Sequence, residues 1–388
     1  MTAPERRASG ALALIFALRM LGLFLVLPVF ALEARRYPGG GDPALVGLAM
    51  GIYGLTQAVL QLPFGLASDR LGRKRVIVAG LAVFALGSFA AAAAGSVWGL
   101  LIGRALQGAG AVSAAVTALL ADQTRDAVRT KAMALVGASI GLMFALALVI
   151  APPLAAAGGL PLLFGLTGTL ALAGIAVVLW VAPPEPAHHA DRPRGRFADV
   201  FRHADLLRLN AGVFILHTVQ IAMWVAVPTL LVRAGLDKAH HWQVYLPAVL
   251  ASFVLMGGLF ALERRGRLRA ALRGAVALVL LSQAGLGLAA AGGWATVAPL
   301  GVLLFVFFCG FNALEASQPS LVSRLAPAAL RGAALGVYNT LQSLGLFAGG
   351  ALGGALVKWS GAPGLFAATS ALALAWLAVT WGLRPVGR

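Results

Sequence analysis

The sequence predicts an all-α membrane protein, with twelve transmembrane helices in two pseudo-symmetric six-helix bundles. Three observations predict it. First, 60% of the 388 residues are apolar and 11% are charged, with a mean hydropathy of +0.89; soluble domains carry about 25% charged residues. Second, apolar runs recur along the whole chain at roughly 20 residues, the length a helix needs to cross about 30 Å of hydrocarbon. Third, short motifs of the first half return in the second. The period-2 alternation of a membrane barrel is absent, so the spans are read as helices, which satisfy their own backbone groups in lipid.

The first span, 10–32, follows Arg6 and Arg7 and carries Arg19 inside it. It is longer than the roughly 7–15-residue core of a cleaved signal peptide and is followed by further spans, so it reads as a retained helix. The second, 44–67, holds Tyr53, Gln57 and Gln61 at i, i+4 and i+8, a polar stripe on one face into which Arg19 can hydrogen-bond. The third is 75–95, and the fourth, 97–121, holds Arg104 and Gln107. The fifth and sixth are 131–157 and 161–182. A polar segment, 183–206, runs from Pro183-Pro184 through His188, His189 and several arginines and reads as a cytoplasmic linker. It separates an N-terminal bundle, 1–182, from a C-terminal bundle, 207–388. The seventh span, 207–232, places His217, Gln220 and Trp224 on one face, and 242–262 and 271–291 follow. The tenth, 295–323, carries Asn312 and Glu315 at i and i+3, and 332–356 and 361–383 complete the set.

Charge sets the expected orientation. With the N-terminus inside, 23 of the 30 Lys and Arg residues fall in inner loops and tails and 5 in outer loops, which puts both termini and the linker in the cytoplasm. The net charge of +17 is spread over these short loops, so it reads as a topology signal and no nucleic-acid partner is expected. Cys309, the single cysteine, sits in an apolar run and reads as a packing residue.

The repeat is visible in two places. Asp69-Arg70-Leu71-Gly72-Arg73 is matched 194 residues later by Glu263-Arg264-Arg265-Gly266-Arg267. The small residues Ala138, Ala147, Ala151, Pro152, Ala155 and Ala156 are matched 198 residues later by Gly336, Gly345, Gly349, Gly350, Gly353 and Gly354. Duplicated halves are a transporter architecture. No metalloprotease helix, phosphate loop or nucleophile elbow is present, so neither an enzyme nor ATP drive is expected, and no cofactor or metal site.

The loop Gly65-Leu66-Ala67-Ser68-Asp69-Arg70-Leu71-Gly72-Arg73-Lys74 resembles the signature G-x-x-x-D-R-x-G-R-K/R of the major facilitator superfamily. Arg104-Ala105-Leu106-Gln107-Gly108 resembles that family's R-x-x-Q-G motif, and the fifth span has the antiporter spacing with alanine for glycine. With Leu18–Gly22, Gly51–Val59 and Gly336-Val337-Tyr338, the chain is most similar to the YajR-like branch of drug:proton antiporters. YajR adds a soluble C-terminal domain; this sequence ends five residues after its last span, so regulation through such a domain is not expected.

The resemblance implies a conformational switch at Gly65, Asp69, Arg70, Gly72 and Arg73, with Asp122 as the carboxylate that the loop engages. It implies a central cavity lined by spans one, four, seven and ten. Candidates for that cavity are Tyr53, Gln57, Gln61, Gln107, Gln220, Trp224, Asn312, Tyr338, Asn339 and Gln342. For a coupled proton the candidates are Glu315, the sole carboxylate well inside a span, then His217, with Arg19 and Arg104 beside them. The expected function is proton-coupled efflux of lipophilic or amphiphilic small molecules by a monomer in the bacterial inner membrane. The alternative is a facilitator or importer of another solute on the same fold.

Overall fold

The computed structural model describes residues 1–185, 197–264, 267–327 and 330–382. His188, His189 and the arginines 192, 194 and 196 of the linker lie outside the described residues, as do Arg265, Gly266, Arg384 and Arg388. Among the described residues every regular element is helical. The spans are α1 (Ala3–Val26), α2 (Pro43–Leu71), α3 (Arg73–Ala92) and α4 (Val97–Asp122). Then α5 (126–158) and α6 (160–181) are the two arms of one helical run bent at Gly159. They are followed by α7 (Ala204–Arg233), α8 (Trp242–Arg264), α9 (Leu268–Gly292) and α10 (Val297–Leu325). Finally α11 (331–360) and α12 (362–381) are the arms of a second run bent at Gly361. Among the described residues nine helical runs are long and apolar enough to cross a membrane, and with the two bent runs divided the helices are consistent with the twelve spans that the hydropathy predicts.

The bends repeat. Gly159 has φ 62° and ψ −158°, and Gly361 has φ 66° and ψ −171°, each with a proline two residues on. That backbone region is essentially closed to a residue with a Cβ. A single glycine therefore reverses the chain between consecutive spans.

Two spans, α1 and α4, depart most from the sequence expectation. Helix α1 begins at Ala3 rather than at 10, because Thr2 and Glu5 form a capping box: Thr2 Oγ1 accepts from the N–H of Glu5 at 3.4 Å, and the N–H of Thr2 donates to the Glu5 carboxylate at 2.7 Å. It ends at Val26, where Pro28 removes a donor, and a short helix, Phe30–Glu33, resumes after the turn. Span α4 is not continuous: it divides into Val97–Ala109 and Ser113–Asp122 around Gly110. A Cβ at Gly110 would stand 2.4 Å from the carbonyl oxygen of Gly80, so α4 breaks where it presses on α3.

The chain forms two compact units, Met1–Gly41 with Ile52–Arg192, and Asp42–Gly51 with Pro193–Arg388. In the first, α5 lies on α1: Ser139 Oγ donates to the carbonyl of Ala13 at 3.3 Å, Phe144 meets Phe24 edge-on at 5.1 Å, and Ala147, Ala151 and Ala155 are buried. Leu12, Ile77, Leu81, Val116, Leu119 and Val178 centre its apolar core. In the second, the glycine stripe of α11 lies on α7. A Cβ at Gly345 would stand 2.5 Å from the carbonyl oxygen of Phe214, and one at Gly349 would stand 2.4 Å from that of Thr218. Lipid tails are as apolar as leucine, so such close backbone packing is what holds spans together.

Candidate functional site

Three polar clusters hold the candidates that the sequence singles out, two in the first unit and one in the second. The first surrounds the α2–α3 turn. Gly72, at φ +98°, makes the reversal that places Arg73 at the start of α3. Arg73 then lies one helical turn from Asp69 in sequence and forms an ion pair with it. Its Nε donates to Asp122 Oδ2 at 3.2 Å and its Nη1 to Ser68 Oγ at 2.7 Å. So the structure brings Asp69, Arg73 and Asp122 together, while Arg70 points outward and is exposed. Gly65 is not forced by crowding: a Cβ there would make ordinary contact, at 3.7 Å, with that of Ala114.

One participant is missed by the sequence reasoning. Glu185, just after the double proline, reaches the first turn of α3, where its carboxylate accepts the backbone N–H groups of Arg73, at 3.0 Å, and Lys74. A π-helical turn, Val177–Val181, ends α6 and leaves the Ala182 carbonyl to accept from Lys74 Nζ at 2.7 Å. The available signal is an acid placed directly after the double proline, at the start of a basic linker.

The second cluster links α1, α2 and α4. Arg19 donates from Nη2 to Tyr53 Oη at 2.6 Å and to Gln57 Oε1 at 3.3 Å, and from Nη1 to Ser113 Oγ at 2.8 Å. Gln61, next on the stripe, is buried outside this set with its Oε1 unbonded. Arg104 lies over the Tyr53 ring, 5.1 Å from its centroid, and donates to Gln107 Oε1 at 3.1 Å. Gln107 in turn donates to Ser88 Oγ on α3 at 2.8 Å. Both arginines are buried, and Tyr53 touches both.

The third cluster joins α7, α10 and α11. His217 Nδ1 stands 3.0 Å from the carbonyl oxygen of Val213, which only accepts, so Nδ1 carries a proton. In the neutral ring Nε2 is then an acceptor, and the Gln342 amide donates to it at 2.8 Å. The same amide donates to Glu315 Oε1 at 3.2 Å. Glu315 Oε2 lies 3.5 Å from His217 Nε2. Gln342 thus bridges Glu315, among the described residues the only carboxylate well inside a span, to an imidazole ring.

Other cavity candidates do not join this bridge. Asn312 donates to Ser252 Oγ of α8 at 2.8 Å. Trp224 meets Tyr245 edge-on at 5.2 Å. Gln220 is buried on α7, Asn339 is half-buried, and the buried Tyr338 hydroxyl has no hydrogen-bond partner. Among the described residues no group of His, Cys, Asp and Glu is arranged to hold a metal ion.

The profile described as Major Facilitator Superfamily matches residues 12–350. The chain is 44% identical to the inner membrane transport protein YajR of Escherichia coli, over 98% of this chain and 84% of that protein. It is 30% identical to the multidrug resistance protein MdtH of Aeromonas salmonicida, over 91% of this chain and 88% of that protein. Among solved structures, the POT family transporter PepTSo superposes with a TM-score of 0.79 at 14% identity, covering 98% of each chain, which is a likeness of fold.

Proposed function

The chain belongs to the Major Facilitator Superfamily and is a transporter of that family; from that premise we propose that it exports lipophilic or amphiphilic small molecules in exchange for protons, by alternating access. The observation that carries the reading is the bridge from Glu315 through Gln342 to His217. A coupled proton needs a group that can load and release it within the span. Glu315 is 39% exposed at its side chain and His217 is 5% exposed, so a proton reaches the ring by way of the carboxylate. Once the ring is charged, Nε2–H becomes a donor and can no longer accept from Gln342. The amide must then turn its oxygen to the ring, which withdraws an N–H from Glu315. Proton transfer is in this way tied to a side-chain rearrangement between three helices, a local event of the kind that biases a two-state element.

The similarity to MdtH supports export and a wide cargo range, and the similarity to YajR supports the bacterial inner membrane. The excess of Lys and Arg in alternate loops supports cytoplasmic termini. In this reading the Asp69–Arg73–Asp122 cluster is the conformational switch, holding its loop closed on one side of the membrane and releasing it on the other. Arg104 fixes Gln107 and Tyr53 within the first unit.

The test is pH-gradient-driven uptake of a dye panel into inverted membrane vesicles, comparing the wild type with Glu315→Gln and His217→Ala. Glu315→Gln should abolish gradient-driven uptake yet leave passive exchange. If both variants keep gradient dependence, coupling through this pair is wrong, and the facilitator or importer alternative takes its place.

A further inference from the structure

We infer that the cargo carries an anionic group on an apolar body and that Arg19 is the residue that receives the anion. The inference rests on the transporter reading above, and its test needs no proton gradient.

Arg19 lies nine residues into the apolar stretch of α1, about 14 Å along the helix axis, and is 1% exposed. A guanidinium does not give up its proton in a protein, so this is a full positive charge inside the span. Its hydrogen-bond acceptors are Ser113, Tyr53 and Gln57, all neutral, and its Nε has none. Other arginines of the same unit are treated differently: Arg73 is paired with Asp69 and Asp122, and Arg125 with Glu5 at 2.7 Å. Among the described residues the acids of this unit, Glu5, Glu33, Asp69, Asp122, Asp126 and Glu185, lie at or beyond the ends of spans. A charge desolvated without an opposite charge is costly, and an intramembrane charge marks function by default.

The surroundings fit one ligand class. Arg104 lies over the same Tyr53 ring whose hydroxyl Arg19 contacts, so the potential around that phenol is positive. Phe84, Leu23 and Met20 pack beside it and offer apolar surface, with the Arg19 guanidinium 5.7 Å from the Phe84 centroid. Gln57 and Ser113 are only half-buried, and release of either frees N–H donors in the planar fork that matches a carboxylate or sulfonate. A cationic amphiphile meets like charge here and gains nothing from the fork.

The experiment is equilibrium binding to the purified full chain in nanodiscs at a fixed pH, with three probes of one shape: 2-naphthoate, 2-naphthylmethylammonium and 2-naphthylmethanol. Naphthoate should bind at least about tenfold more tightly than the other two, the span of one charge-assisted hydrogen bond. Arg19→Gln should remove that preference, and Arg19→Lys should restore part of it. Gln57→Glu keeps the arginine but supplies an internal counter-charge at a position now 3.3 Å from it, so it should abolish naphthoate binding and improve that of the ammonium probe. If the ammonium probe binds as tightly as naphthoate, if no probe binds, or if naphthoate binds Gln57→Glu as well as the wild type, the inference is overturned. Because no gradient is applied, each of these results is separate from failure of proton coupling at Glu315.

Discussion

The carboxylate of Glu185 accepts the backbone N–H of Arg73 at 3.0 Å although the two residues are 112 positions apart. Helix α3 opens after Gly72, which has no side chain to cap it, and the first N–H groups of a helix need acceptors from elsewhere. Glu185 serves two of them, those of Arg73 and Lys74, and adds a negative charge at the positive end of the helix. Gln123 holds the same strand of chain through the Pro183 and Pro184 carbonyls, at 3.0 and 3.2 Å.

Removing that cap should therefore loosen both α3 and the start of the linker. Glu185→Ala is expected to cost about 1–2 kcal/mol, and Glu185→Gln about half as much, since the amide keeps one accepting oxygen. Thermal unfolding of the detergent-purified variants gives the ranking, and the rate of proteolytic nicking in the linker gives the local effect. An alanine variant that melts with the wild type and is nicked no faster would show that the cap contributes nothing.

The sequence makes the spans legible because bilayer thickness dictates a long apolar run, and predicted edges fall within a few residues of the helices for most of them. It hides what is set by contact rather than by composition. The break in α4 depends on Gly110 meeting the backbone of α3 at Gly80, and nothing near Gly110 in the chain announces Gly80. Candidate polar residues are legible by cost alone, since Arg19, Arg104, His217 and Glu315 stand out in apolar runs. Their partners are less so. The stripe Tyr53, Gln57, Gln61 is read as one face, yet Arg19 reaches the first two only. Asn312 and Glu315 share a helix face in sequence, yet Asn312 turns to Ser252. Gln342 is one candidate among ten until its amide is seen between a ring and a carboxylate.

His241 supplies a pH dependence outside the spans. It precedes α8, is fully buried against Tyr245, and burial pushes its pKa down from 6.5 to about 4, with Asp237 and the Leu236 backbone opposing. The folded chain keeps the ring neutral while the unfolded chain protonates it near 6.5, so the unfolded state binds more protons between those values. Stability is therefore complete above about pH 6.5 and falls as pH drops toward 4. The loss reaches about 2 kcal/mol at pH 5. His241→Phe keeps an aromatic ring against Tyr245 and should flatten this part of the profile. Melting curves at pH 7.5 and pH 5 for both proteins decide it, and an equal acid loss in the variant would assign the effect to other groups.

Arg104 and Tyr53 can be separated by substitution. Arg104 lies over the ring, while the Tyr53 hydroxyl serves Arg19. Tyr53→Phe should therefore disturb Arg19 and spare Arg104, whereas Tyr53→Leu should disturb both. Arg104→Lys keeps the charge but loses the planar stack and its geometry toward Gln107, at a cost of about 1 kcal/mol. Thermal stability measured as a double-mutant cycle isolates the stack: Arg104→Lys should cost less in the Tyr53→Leu background, where only its contacts away from the ring, such as that to Gln107, remain to be lost. An undiminished penalty there would place the contribution of Arg104 elsewhere.

The sharpest expectation concerns Gln342. Its amide has two N–H groups, and the structure spends one on His217 Nε2 and the other on Glu315 Oε1. Gln342→Leu keeps the approximate volume and removes both bonds. If the amide reports the protonation of the ring to the carboxylate, this variant should bind cargo within about twofold of the wild type but lose about tenfold or more of its gradient-driven transport, the scale of one hydrogen bond to a charged group. The decisive background is Glu315→Gln. With the carboxylate already gone, Gln342→Leu has nothing left to uncouple, so the double variant should keep the passive exchange of Glu315→Gln alone. Purified protein in proteoliposomes, with an imposed pH gradient and with exchange in its absence, gives both quantities. A further loss of passive exchange in the double variant would mean that Gln342 supports the packing of α7, α10 and α11 and carries no part of the proton's path.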